Sequence, residues 1–153
     1  MSDARVADEL EIRNLVALYS DAVLRLNSAA WLGTWAADGE WSLLGESSRG
    51  HDALAARLAT LTGGLEYVMQ VAGSGVVQID DAGARGRWSI TEHARMRNGD
   101  ALFTMGAYTD DYCREGGAWR FSKRHFDLFY MGAPDMSGRL MPVPEDGRTG
   151  GEA

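Results

Sequence analysis

The chain has 153 residues, 45% of them hydrophobic, and a formal net charge of -7 at neutral pH. That length fits one domain with a sizeable core, and the acidic balance argues against nucleic-acid or anionic-membrane partners, which require basic patches. A single cysteine, Cys113, excludes an internal disulfide framework.

Three scattered histidines do not suit a structural zinc site. No apolar run approaches the roughly 20 residues that a membrane span needs, and MSDARVADEL lacks the apolar centre of a signal peptide. The expectation is a soluble, cytoplasmic protein.

The first element is an amphipathic helix, started by Asp3 or Asp8. At about 100° per residue, Ile12, Leu15, Val16, Tyr19, Ala22, Val23 and Leu26 share its apolar face. Asp21 and Arg25 fall on the wet side. Ser28 is expected to cap a short second helix carrying Trp31 and Trp35 and ending before Asp38-Gly39. EWSLLG reads as a short strand, and GHDALAARLATLTGG as a helix closed by glycines.

Beyond Gly64 the helical period disappears. LEYVMQVAG, SGVVQID, ARGRWSITEHARMR, DALFTMGAYTDDYCRE and AWRFSKRHFDLFY are rich in β-branched and aromatic residues and predict strands. Asp80–Gly83, Asn98-Gly99 and Glu115–Gly117 mark the turns between them. Helices followed by an antiparallel meander give the α+β class, with the helices on one side of a curved sheet. From Gly132 the tail has no period, and its end, EDGRTGGEA, is expected to be disordered. The domain is therefore 1–131, with 132–153 an irregular tail.

LYSD at 18–21, DGEW and its following glycine at 38–45, GAYTDDY at 106–112 and WRFSKR at 119–124 occur in the order and spacing of a known group. Over roughly residues 9–131 the chain resembles the SnoaL-like group of the NTF2-like superfamily, within it the hexachlorocyclohexane dehydrochlorinase and scytalone dehydratase branch. The resemblance implies an α+β cone whose mouth holds a small hydrophobic molecule. It also implies cofactorless lyase, isomerase, cyclase or epoxide hydrolase chemistry, a homo-oligomer (dimer or trimer), and a C-terminal segment able to fold over the mouth as a lid.

In that branch a first-helix aspartate orients a histidine that acts as base. Counted from LYSD, the aspartate position falls on Asn27 and the histidine position on Gln70. The branch's arginine is kept as Arg124. Neither amide accepts a proton near neutral pH, so the base must lie elsewhere.

A two-residue loop at Asn98-Gly99 would pair Arg97 with Asp100, His93 with Thr104, Thr91 with Gly106 and Ser89 with Tyr108. Following the resemblance, the face of Thr91 and Tyr108 then lines the pocket. Trp88, Ile90, Glu92, Ala94 and Met96, together with Phe103, Met105 and Ala107, form an outer face suited to a subunit contact. On that pairing His93 is the candidate base. Glu92 is the fallback, because a shift of one residue reverses the faces.

Arg124 would offer a fork of donors to an oxyanion or leaving group. Tyr19 would act as donor or weak acid. Asn27 and Gln70 would hydrogen-bond a substrate oxygen, or each other. Trp41, Tyr67, Tyr108, Phe126 and Leu128 would wall the pocket.

The expected function is a cofactor-independent lyase or isomerase acting on a hydrophobic cyclic or aromatic compound, with no metal. Epoxide hydrolysis or epoxide-opening cyclisation is one alternative and would place Glu92 inside. A non-catalytic small-molecule binder is the other.

Overall fold

The computed structural model describes residues 2–143; the end of the tail, expected to be disordered, lies outside the described residues. Helix α1 spans Asp3–Leu24. Of its expected inward residues, Ile12, Leu15, Val16, Tyr19 and Ala22 are buried and Val23 is half-buried, whereas Leu26 lies past the helix end and is exposed. Ser2, rather than Asp3 or Asp8, caps it by accepting from the Arg5 amide. Helix α2 is a short turn, Ser28–Leu32, capped by Asn27, one residue earlier than expected. Trp35 belongs to the following strand and not to this helix. Helix α3 spans His51–Thr62.

Six strands form one sheet: β1 Trp35–Leu43, β2 Glu46–Arg49, β3 Leu65–Asp80, β4 Gly83–Met96, β5 Ala101–Glu115 and β6 Ala118–Gly132. Their order is β2-β1-β6-β5-β4-β3, antiparallel except for the β1–β6 pair. The two segments on either side of Gly73 are one long strand, β3, with an irregularity between Ala72 and Gly75. Further irregularities lie in β1, before Glu40, and between β5 and β6 near Gly106. Such bulges bend a sheet and increase its twist, which is how a six-stranded sheet curves around a cavity.

The helical layer covers one face. Ile12, Leu15, Val16 and Tyr19 from α1 meet Trp31, Trp35, Trp41, Trp88, Tyr108 and Phe121 in a single aromatic-rich core. Tyr19 and the three tryptophans 31, 35 and 41 interlock at ring separations of 5.1–6.3 Å, within the range where tilted aromatic pairs attract. The opposite face of the sheet exposes Tyr67, Met69 and Val71 from β3. The start of the tail packs at the end of β6, where Tyr130 donates to the Ala133 carbonyl and accepts from the Gly138 amide. Among the described residues no helix is long and apolar enough to cross a membrane.

The β4–β5 connection corrects the expected register. Arg95 pairs with Ala101, the Met96 amide donates to the Asp100 carbonyl, and the Gly99 amide donates back to the Met96 carbonyl. The loop is therefore the three residues Arg97-Asn98-Gly99, with Gly99 at φ 93°. A three-residue hairpin closed by a left-handed glycine is the usual alternative to the two-residue turn. The extra loop residue slides β4 by one position against β5. Glu92, and not His93, faces Thr104.

Candidate active site

Between the helices and the sheet lies a cavity of about 200 Å³. Its sheet wall is built in rows running across the strands. One row is apolar: Val68, Ala94 and Leu102. The next is polar: Gln70 of β3, Glu92 of β4 and Thr104 of β5, followed by Met131 of β6. The third returns to apolar with Ile90 and Gly106, and the fourth carries Tyr108 and Phe126. Tyr19 and Val23 of α1 and Leu58, Leu61 and Thr62 of α3 close the other side. Leu44 and Met131 both line the cavity and are exposed, which marks its mouth.

Glu92 sits in the polar row with one protein hydrogen bond, from Gln70 Nε2 to its Oε2 at 3.1 Å. Burial among apolar side chains raises the Glu92 pKa, and the Gln70 amide offsets part of that rise. Among the described residues no arginine, lysine or histidine lines the cavity, and its titratable groups are Tyr19, Glu92 and Tyr108. The Gln70 Oε1 atom is buried without a partner.

At the far end the Tyr19 and Tyr108 hydroxyls lie 3.3 Å apart, and the Trp41 indole N–H donates to Tyr108 Oη, also at 3.3 Å. Burial raises both tyrosine pKa values, Tyr19 far more, so both hydroxyls keep their protons. One of the two protons bridges the pair. The other is left over, whichever tyrosine donates, and is available to a ligand oxygen. Gly106 lies between the carboxyl row and this pair. A Cβ there would come within 2.4 Å of the Phe126 ring and 2.3 Å of the Asp127 carbonyl, so only glycine lets Phe126 lie against β5.

Arg124 lies behind the tyrosines and does not line the cavity. It is fully buried, with its guanidinium carbon 3.7 Å from the Tyr108 ring, 4.1 Å from Phe121 and 4.3 Å from Tyr19. Asp110 grips it from Oδ1 to Nε at 2.8 Å and from Oδ2 to Nη2 at 3.2 Å. Tyr112 donates to the same Asp110 Oδ2, and Trp88 donates to Tyr112. Burial works against the Arg124 cation, but Asp110 and the surrounding tyrosines outweigh it and hold the guanidinium protonated. The pair is ionic, and its charge is spent internally.

Of the expected site residues, the structure brings together Tyr19, Trp41, Gln70, Tyr108 and Phe126 around one cavity. It places the others elsewhere. His93 points out of the opposite face of the sheet and stacks on Phe103 at 4.8 Å. Thr91 shares that outer face opposite Met105, as does Tyr67, which is half exposed. These corrections share the three-residue loop as their cause for β4, while β3 follows β4 in register. Leu128 lies opposite Gly106 but does not reach the cavity. Asn27 is exposed, and its Oδ1 accepts from the Ala30 amide as a helix cap; the two amides expected to meet do not. Glu92 is the cavity group that the two-residue loop misplaced, and Thr104, expected opposite His93, lies opposite Glu92. Among the described residues none after Met131 lines the cavity.

Helices packed on an open, curved, mostly antiparallel sheet around an aromatic-walled cavity define an α+β cone of the NTF2-like type. The chain belongs to the SnoaL-like domain family, whose profile matches residues 4–125. Solved structures agree on the fold. A hexachlorocyclohexane dehydrochlorinase, LinA-type3 from Novosphingobium barchaimii LL02, is 20% identical with a TM-score of 0.77, over 93% of this chain and 100% of that one. A provisionally assigned scytalone dehydratase from Novosphingobium aromaticivorans DSM 12444 is 16% identical with a TM-score of 0.81, over 97% and 99%. A provisionally assigned aromatic ring hydroxylase from Novosphingobium aromaticivorans is 18% identical with a TM-score of 0.77, over 83% and 93%. No functionally curated protein matches the sequence. Such different chemistries on one scaffold show that the fold does not select the reaction.

Proposed function

We propose that this protein is a cofactor-independent lyase or isomerase that moves a proton beside a carbonyl or leaving group of a hydrophobic cyclic or aromatic compound. Glu92 is the base, in place of His93. The observation that carries the reading is a carboxyl held in an apolar cavity by a single amide. A general base works best when its pKa lies near the working pH, and burial moves Glu92 in that direction. Gln70 aims the carboxyl. The spare tyrosine proton of the Tyr19–Tyr108 pair donates to the oxygen on which charge develops, in a site where water is largely excluded. Related folds that carry dehydrochlorinase and dehydratase names lend the reaction class support without fixing the substrate.

The test is turnover of a panel of cyclic β-substituted ketones and halides by wild type and Glu92→Gln. Glu92→Gln keeps the shape and removes the base, so turnover should fall by about 10²- to 10⁴-fold, while His93→Gln changes it little. Loss of activity in His93→Gln with retention in Glu92→Gln would refute the assignment.

Glu92 inside the cavity also favours a second reading, epoxide opening, in which the carboxylate activates water and a tyrosine protonates the epoxide oxygen. Incorporation of oxygen-18 from labelled water into product separates it from elimination and isomerisation.

A further inference from the structure

The polar row presents the cavity with a carboxylate that one amide holds. One N–H of the Gln70 amide goes to Glu92, and Gln70 Oε1 is buried without a partner, closed off from the cavity. Glu92 receives that one bond and leaves its second oxygen free of protein donors. The Thr104 hydroxyl beside it adds a second acceptor, itself able to donate. Among the described residues no cation pairs with the carboxylate, and Arg124 lies behind Tyr19 and Tyr108, held by Asp110. The walls on the tyrosine side are the aromatic rings of Trp41, Tyr108 and Phe126.

An uncompensated carboxylate in an apolar, aromatic-walled cavity calls for a ligand that brings positive charge and hydrogen-bond donors together. A primary ammonium brings the charge together with donors for both the free Glu92 oxygen and the Thr104 hydroxyl, and aromatic faces attract the cation further. The volume, about 200 Å³, exceeds the roughly 150 Å³ of an apolar cavity that takes benzene, so one substituted ring or a compact bicycle fits. An anionic ligand would meet Glu92 with nothing to neutralise it.

We propose that the cavity binds hydrophobic cyclic amines in their protonated form, the ammonium seated on the Gln70–Glu92–Thr104 row and the ring against Trp41, Tyr108 and Phe126. This goes beyond the proton-transfer reading and does not depend on it, because the amine needs Glu92 as a charge and not as a base.

Three ligands on one skeleton test it by isothermal titration of the full chain at neutral pH: 2-aminoindane, 2-indanol and indane-2-carboxylate. The amine should bind about 10- to 100-fold more tightly than the alcohol, the range expected when an ion pair against aromatic faces replaces a single hydroxyl–carboxylate hydrogen bond. The carboxylate should not bind measurably. In Glu92→Gln the preference for the amine should collapse to within about threefold, while an unchanged circular-dichroism spectrum reports an intact fold. Equal binding of amine and alcohol, an amine preference that survives Glu92→Gln, or no binding by any of the three would overturn the proposal. Amine binding that depends on Glu92 with no turnover of the ketone and halide panel would leave this inference standing and remove the catalytic one.

Discussion

Glu92 ties the cavity's chemistry to the protein's stability. Burial raises its pKa in the folded state, so the folded protein holds that proton more tightly than the unfolded chain, where a glutamate titrates near 4.3. The stabilising contribution is complete below the unfolded value and is lost as the pH rises through the higher folded value. At neutral pH the ionised carboxylate is a cost, which Glu92→Gln removes. Melting temperatures of the two proteins should agree near pH 4, and the variant should become the more stable one as the pH is raised to 8. A constant difference across that range would mean that Glu92 does not titrate differently in the folded state. Such a residue was visible in the sequence only as one of two neighbours on a strand. Tyr19, by contrast, could be placed inside from the helical period alone, because Ile12, Leu15, Val16 and Ala22 agree with it on one face of α1.

The strands show why one neighbour was mistaken for the other. Side chains alternate with a period of two, so a strand's pattern fixes two faces without saying which looks inward. On β5 the inward set was read correctly: Thr104, Gly106 and Tyr108 face the helices. On β4 it was reversed, because the loop holds three residues and the Asn-Gly pair suggests two. Both loops use a glycine with positive φ, and the sequence does not distinguish them. Gly99 has φ 93° with nothing within 4 Å of where a Cβ would sit. Gly99→Ala should therefore act through backbone strain alone, destabilising the protein by about 1 kcal/mol in urea unfolding, with Gly99→Asn milder. An unchanged midpoint for Gly99→Ala would contradict the left-handed turn, and with it the register that puts Glu92 inside. Asn27 was misread for a different reason. The resemblance had suggested an aspartate position there, but locally an asparagine ahead of Ser-Ala-Ala is a good helix cap, and the backbone of α2 takes that option.

Across the whole molecule, the Asp110–Arg124 pair stands where every layer meets. It joins β5 to β6, touches α1 through Tyr19, and reaches β4 through Tyr112 and Trp88. A pair so deeply buried has given up the hydration of both ions, and its mutual attraction roughly repays that loss. Removing one member leaves the other charged and alone. Asp110→Asn or Arg124→Met should each destabilise the fold by about 3–5 kcal/mol in chemical unfolding. Replacing both, as Asp110→Leu with Arg124→Met, should recover most of that loss, since apolar side chains of similar volume pack without any charge to desolvate. If the pair existed for stability alone, the double variant would also keep its activity. The geometry argues otherwise, because the guanidinium carbon lies over the Tyr108 ring at 3.7 Å and the cation opposes the rise in that tyrosine's pKa. Without the cation the Tyr108 hydroxyl becomes a weaker donor to an oxygen gaining charge. The double variant should therefore fold well and turn over slowly, with a reduced kcat and little change in binding of an uncharged ring. A well-folded double variant with full kcat would reduce Arg124 to an internal strut.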